Sequence, residues 1–245
     1  MELTRFLAHE WKPALGCTEP ASIAYAACCA AAEADGAVQS VHLVCDPRMY
    51  KNCYAVGIPH SERKTGILWA VAIGALLPDP SAELECFRDI TPAILGEAGR
   101  LIESGTITVE VDSGKSSLFV DTRVVRSDGV GRAIIKEHHT GLARVERDGR
   151  PRPLPERVED SADRSGGHEI VEWIQGLGFA EAIETVATIS GPDRERLRRG
   201  GEMNRAIARH GLSLFPESFV NLMGVDQMTR ISRLVCAGVY ARMCG

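Results

Sequence analysis

The sequence predicts an α+β fold in which an antiparallel meander sheet region is inserted between an N-terminal helix and a C-terminal helical region. Three observations carry that expectation. Residues 18 to 34 are rich in Ala and Cys and have almost no polar face, as expected of a helix approached from several sides. Residues 106 to 148 change period to short β-rich runs (ITVEV, LFVDTRVV, AIIKEH, LARVE) separated by DSGKS, SDGVG and HTG. Everything after residue 168 reads as helical.

In chain order, Thr18 is the expected N-cap of the first helix, with Glu19 at the positive end of its dipole and Pro20 tolerated in its first turn; the helix should run to about Ala34. VQSVHLVC, residues 38 to 45, reads as a strand that ends in a turn at Asp46-Pro47. Gly66 to Leu77 is apolar all round and stops at Pro78, a second interior helix. Asp79-Pro80 and Thr91-Pro92 both read as an N-cap followed by Pro, and Ile94, Ala98, Leu101 and Ile102 keep helical spacing until Gly105. The four β-rich runs are simplest as strands in meander order. GRPRPLPERVEDSADRSGG, residues 149 to 167, has the prolines and alternating charges of a linker. Helices are expected at 168 to 176, 179 to 190, 192 to 210 (closed by Gly211) and 226 to 243. The domain division is therefore a sheet region at 36-148, a helical region of 1-35 and 168-245, and a linker at 149-167.

Composition limits the function. The 245 residues are 44% hydrophobic, 25% charged and only 5% aromatic, so a core must rest on aliphatic side chains. Lys and Arg number 28 against 33 Asp and Glu, a net charge of -5, with no basic excess for a phosphate backbone; nucleic acid is not an expected partner. The apolar runs Ala21 to Ala32 and Gly66 to Leu77 fall short of the roughly 20 residues of a bilayer span, so no membrane partner is expected. MELTRFLAHEW lacks the basic start and apolar run of a signal peptide, so a cytoplasmic location is expected. In that compartment Cys17, Cys28, Cys29, Cys45, Cys53, Cys86, Cys236 and Cys244 are expected as buried small hydrophobes or cofactor ligands rather than disulfides; no CxxC pair supports a zinc ribbon.

The stretch that carries chemistry is WKPALGCTEP, residues 11 to 20, which sets Cys17 just before the N-cap of a buried helix. There the dipole and free backbone N–H groups favour a thiolate, which serves as a nucleophile or a metal ligand; a buried turn cysteine is the plain structural alternative.

With Pro13-Ala14-Leu15-Gly16-Cys17-Thr18-Glu19-Pro20 unbroken, the chain resembles the L-cysteine desulfidases, also described as serine dehydratase alpha-like proteins. The likeness continues at Lys51-Asn52, at Val-Gly-Ile-Pro (56 to 59), at His139-Thr140 and at NRAIARHGL (204 to 212). It implies a lyase that holds a [4Fe-4S] cluster on three cysteines, uses no pyridoxal phosphate, and eliminates sulfide from L-cysteine or water from L-serine to give pyruvate and ammonia. Cys17 matches the first cluster ligand. Lys51, Asn52, His139 and Thr140 become substrate-site residues. Thr18 and Glu19 join them beyond their capping role, with Glu19 an option for proton acceptor; the catalytic residue is left open.

The resemblance also implies differences. Family members are longer, and their other two cluster cysteines lie beyond AGVYARMCG (237 to 245), so further ligands are expected outside this chain, and helices that would cover Ala21 to Ala34 are partly absent. His60-Ser61-Glu62-Arg63-Lys64 stands where the family has a Gly-rich turn. Cys28 and Cys29 point about 100° apart on their helix, so at most one could face the site of Cys17; Cys236 and Cys244 match no family ligand, and Cys45, Cys53 and Cys86 are expected to be structural. His138 and His139 should end a strand, one to each face. The chain is then the N-terminal part of a catalytic unit acting on a small amino acid, as a homodimer or with a second chain that carries the C-terminal half. A split enzyme and a non-catalytic remnant or small-molecule binding domain are the alternatives.

Overall fold

The computed structural model describes residues 2–11, 13–77, 79–154 and 166–214. Along it run α1 (Glu2–Glu10), α2 (Thr18–Ala31), β1 (Val38–Cys45), α3 (Pro47–Cys53), α4 (Ile67–Gly74), a 3-10 segment (Pro80–Asp89) and α5 (Pro92–Glu103). Then come β2 (Ile107–Val111), β3 (Phe119–Arg126), β4 (Gly129–Lys136), β5 (Leu142–Arg147), β6 (Arg150–Pro151), α6 (Gly166–Gly176), α7 (Phe179–Ala187) and α8 (Gly191–Leu214). The fold is mixed α and β. It divides into two compact units: residues 14–154 form one, and the described residues before 14 and after 165 form the other.

In the first unit a six-stranded sheet has the order β2-β1-β3-β4-β5-β6. The expected antiparallel meander needs a correction here. β1 lies between β2 and β3, and β2 pairs with β1 in parallel, while the remaining neighbours are antiparallel. The reason is the long connection from β1 to β2: α3, α4, the 3-10 segment and α5 carry the chain back to where β1 began, and such a crossover delivers a parallel strand.

One sheet face is apolar. Val41, Leu43 and Cys45 of β1, Val120, Thr122 and Val124 of β3, and Ala133 and Ile135 of β4 alternate into the core. Helix α2 lies on that face against β3, β4, α4 and the 3-10 segment. Two glycines admit it. A Cβ on Gly131 would stand 1.7 Å from the Ala30 carbonyl oxygen, and one on Gly74 would stand 2.4 Å from that of Ala24. Every residue of α2 from Pro20 onward is buried, so the expected bare surface along Ala21 to Ala34 is corrected: α4 and the sheet supply its cover. For the same reason α2 belongs with the sheet, and the boundary expected at residue 35 falls at residue 13 instead.

Three local expectations also shift. Asp46-Pro47 opens helix α3 rather than a turn: the buried Asp46 carboxylate accepts the N–H groups of Arg48 (2.8 Å) and Met49 (3.2 Å), and its other oxygen accepts Phe119 N–H at 2.9 Å, which ties the helix to the start of β3. Residues 149 to 154 are not linker, since β6 pairs with β5, Arg152 bonds Glu33 at 3.2 Å and Leu154 packs on the core; residues 155–165 lie outside the described residues. Gly211 does not close α8, which continues to Leu214.

In the second unit Ser190 Oγ and Thr4 Oγ1 each donate to Asp193 Oδ2 at 2.6 Å, which joins the start of α8 to α1. Arg196 donates to the Trp11 carbonyl at 3.1 Å, and Gly200 leaves the space taken by the Trp11 indole. α1 was not foreseen. The helix expected at 226 to 243, with Cys236 and Cys244, lies outside the described residues. No described helix is long and apolar enough to cross a membrane.

Candidate functional site

Four segments of the first unit meet at the head of α2. Cys17 itself occupies the N-cap position with φ -59° and ψ 131°, so the helix begins at Thr18, one residue earlier than expected. Its neighbour Gly16 sits so close to Pro59 that an added Cβ would stand 3.1 Å from the proline ring. Pro59 belongs to a small loop closed by the Gly57–Thr65 bridge and by Ser61 Oγ, which donates to the Ile58 carbonyl at 2.6 Å. This loop carries the charged run His60-Ser61-Glu62-Arg63-Lys64. His60, Glu62 and Arg63 have φ of 57°, 54° and 68°, so three non-glycine residues hold left-handed backbone where glycine is at ease.

The Cys17 thiol, half-buried, donates to Glu19 Oε2 at 2.8 Å. Glu19 Oε1 accepts Asn52 Nδ2 at 2.9 Å, and Thr18 Oγ1 reaches Oε2 at 3.5 Å, the outer limit of such a bond. Burial raises the Glu19 pKa, but the hydrogen bonds from Cys17 and Asn52 outweigh it and hold the carboxyl below its ordinary value. Glu19 is ionised at neutral pH. Burial first, then the Glu19 hydrogen bond and charge, push the Cys17 thiol from 9.0 up to about 11; the Thr18 and Glu19 N–H groups act in the opposite sense and lose. The thiolate favoured by helix position alone is therefore replaced, in the free chain, by a protonated thiol.

His139 is coupled to this group through space: its charge interaction with Glu19 is felt at both residues, with no hydrogen bond between them. Burial dominates at the imidazole and keeps its pKa below the ordinary value, so the ring is neutral at pH 7. It does not end a strand as expected: β4 stops at Lys136, and residues 137 to 140 form a turn in which Glu137 has φ 68° and Gly141 passes so close to the Lys136 carbonyl that no side chain fits. Thr140 follows, buried.

Of the expected site residues, then, Cys17, Thr18, Glu19, Asn52 and His139 come together. Lys51 stands exposed in the last turn of α3, where its charge suits the helix dipole, and no described hydrogen bond or ion pair draws it in. Cys53 was missed as a neighbour. It is fully buried, with its thiol raised mainly by burial and then by electrostatic coupling to the Cys17 sulfur once that has ionised; its place one residue after Asn52 was the available signal. Cys28 lies eleven residues along from Cys17, about 16 Å up the helix, and donates to the Leu77 carbonyl instead. Among the described residues no group of three or more His, Cys, Asp or Glu side chains is placed to hold a metal ion. The donors present fit one corner of a thiolate-bound cluster, Cys17, and no more.

No family model matches the chain, and no solved structure does. Curated proteins do match. A UPF0597 protein of Geobacter sulfurreducens is 32% identical over 240 residues, covering 95% of this chain and 55% of the relative. One from Kosmotoga olearia is 30% identical over 252 residues, all of this chain and 58% of the relative, and one from Klebsiella pneumoniae is 28% identical over 251 residues, 98% and 57%. The chain spans about half the length of the curated relatives it matches.

Proposed function

We propose that this chain is the N-terminal part of an iron-sulfur lyase of the L-cysteine desulfidase and serine dehydratase alpha-like kind, acting on L-cysteine or L-serine. The observation that carries the reading is the convergence of Cys17, Glu19, Asn52 and His139 from three separate stretches of chain onto the open end of one buried helix. Cys17 would hold one iron of the cluster, with the remaining ligands drawn from the half of the protein that the chain does not span. When bound, the cluster supplies a Lewis-acidic iron to the substrate.

The chain's own residues divide the remaining work. His139, neutral, is the group suited to accept the α-proton, and Glu19, ionised beside it, stabilises the imidazolium that results. Asn52 fixes the Glu19 carboxylate. Lys51, one residue earlier and exposed, is available for the substrate carboxylate, and the Thr18 and Thr140 hydroxyls are assigned to the substrate with it.

The test compares pyruvate and sulfide formation from L-cysteine, without oxygen, by the 245-residue chain alone and by the chain joined to the part of the Geobacter relative that the match leaves uncovered. Turnover only in the joined protein is expected. Cluster-dependent turnover by the chain alone would overturn the assignment of ligands to the other half, and no turnover from L-cysteine or L-serine in a joined protein that holds its cluster would overturn the activity.

A further inference from the structure

The face of the sheet turned away from α2 is charged, and its charges are unevenly matched. His42, Arg123, Arg132 and Glu146 stand directly opposite one another across β1, β3, β4 and β5, so three basic side chains follow in one row. Like charges opposed across a sheet repel, since their Cβ atoms are about 5 Å apart. Arg132 is compensated: Asp121 takes its guanidinium with both oxygens, at 2.9 and 2.6 Å, and Glu146 approaches at 3.4 Å. His42 has Glu110 at 3.6 Å. Arg123, exposed between these two, has no hydrogen bond or ion pair from any described residue.

The acids that line the same cavity are engaged elsewhere. Asp121 is spent on Arg132, buried Glu146 is shared between Arg132 and Arg144, and Asp148 accepts the Val130 N–H at 2.9 Å. Over this row opens a cavity of about 570 Å³ that Val44 and Val130 also line, within the size range of small-molecule sites. Folding alone does not explain an arginine set directly opposite a second arginine with its own donors free.

We propose that this cavity binds a small molecule bearing a phosphate or carboxylate group, held by the Arg123 guanidinium in the two-pronged geometry that arginine offers such oxygens. Arg132 is its rigid neighbour, fixed in place by Asp121. This site is independent of the Cys17 cluster and of the reaction proposed for it.

Isothermal titration of the 245-residue chain with inorganic phosphate and, separately, with citrate, at fixed ionic strength, tests the proposal. At least one anion should bind, and Arg123→Gln should weaken it about tenfold or more, the scale of a charged two-pronged contact, while Arg100→Gln on α5 leaves it unchanged. Without the anion, Arg123→Gln should melt at the parent temperature or above, because it relieves repulsion. Binding of phosphate alone assigns a phosphorylated ligand; binding of citrate alone assigns a carboxylate. Neither anion binding below about 10 mM, a bound of roughly 2.7 kcal/mol, would overturn the proposal, as would equal affinity in Arg123→Gln. Should that variant fold poorly, Arg123→Lys serves: it keeps the charge, loses the fork, and should bind severalfold more weakly than the parent, with parent-like affinity counting against the site.

Discussion

At Cys17 the helix N-terminus pulls the thiol toward ionisation while burial and the Glu19 carboxylate push it the other way, and the second pair wins, at about 11. The WKPALGCTEP stretch made the first influence legible, and Glu19 was visible two residues on. What the sequence could not give is that Glu19 folds back to accept the thiol proton, a matter of one rotamer held by Asn52 from another helix. Glu19→Gln removes the charge and should lower the midpoint of the Cys17 alkylation profile by about one pH unit, with circular dichroism unchanged. An unmoved midpoint would show that burial alone sets the thiol. Cys17 can then become a ligand only by losing its proton against that field, so metal uptake should release protons and weaken as pH falls.

The elements were legible where composition alone dictates them. α2 was foreseen because Ala and Cys leave it no polar side, and it is buried from Pro20 onward; α3 was read as a turn although Asp46-Pro47 carries the same signature as Asp79-Pro80 and Thr91-Pro92. The pairing of β2 with β1 was not legible, because a parallel crossover depends on where four intervening helical segments pack. Close contact gives two tests at this scale. Gly74→Ala drives a methyl into the Ala24 backbone and should cost about 2 to 4 kcal/mol in urea unfolding, since packed backbone yields little. A loss under about 0.5 kcal/mol would mean that α2 and α4 are not in contact there. In the loop beside Pro59, Arg63→Gly relieves a left-handed residue with φ 68° and should stabilise by about 1 kcal/mol; destabilisation would show that the loop is held by the arginine side chain rather than strained by its backbone.

For the whole molecule, buried thiols set a limit on alkaline stability. Burial raises Cys28 and Cys86 from 9.0 to about 12 in the folded chain. Their contribution is fully present below pH 9 and is lost as pH rises toward 12, because the unfolded chain gives up those protons first. Together they should cost about 3 kcal/mol per pH unit within that window, read from urea midpoints; a flat profile from pH 7 to 11 would contradict their burial. The same burial separates structural cysteines from Cys17, which alone of the described cysteines is half-exposed. That contrast gives the most direct test of the central claim: iron and acid-labile sulfide retained after anaerobic reconstitution of the chain joined to the uncovered part of its Geobacter relative, compared among the parent, Cys17→Ser and Cys86→Ser. The account predicts that Cys17→Ser loses both while remaining folded, because a hydroxyl is a poor iron ligand beside thiolates, and that Cys86→Ser, if folded, keeps both. Equal iron and sulfide in Cys17→Ser and the parent would contradict it.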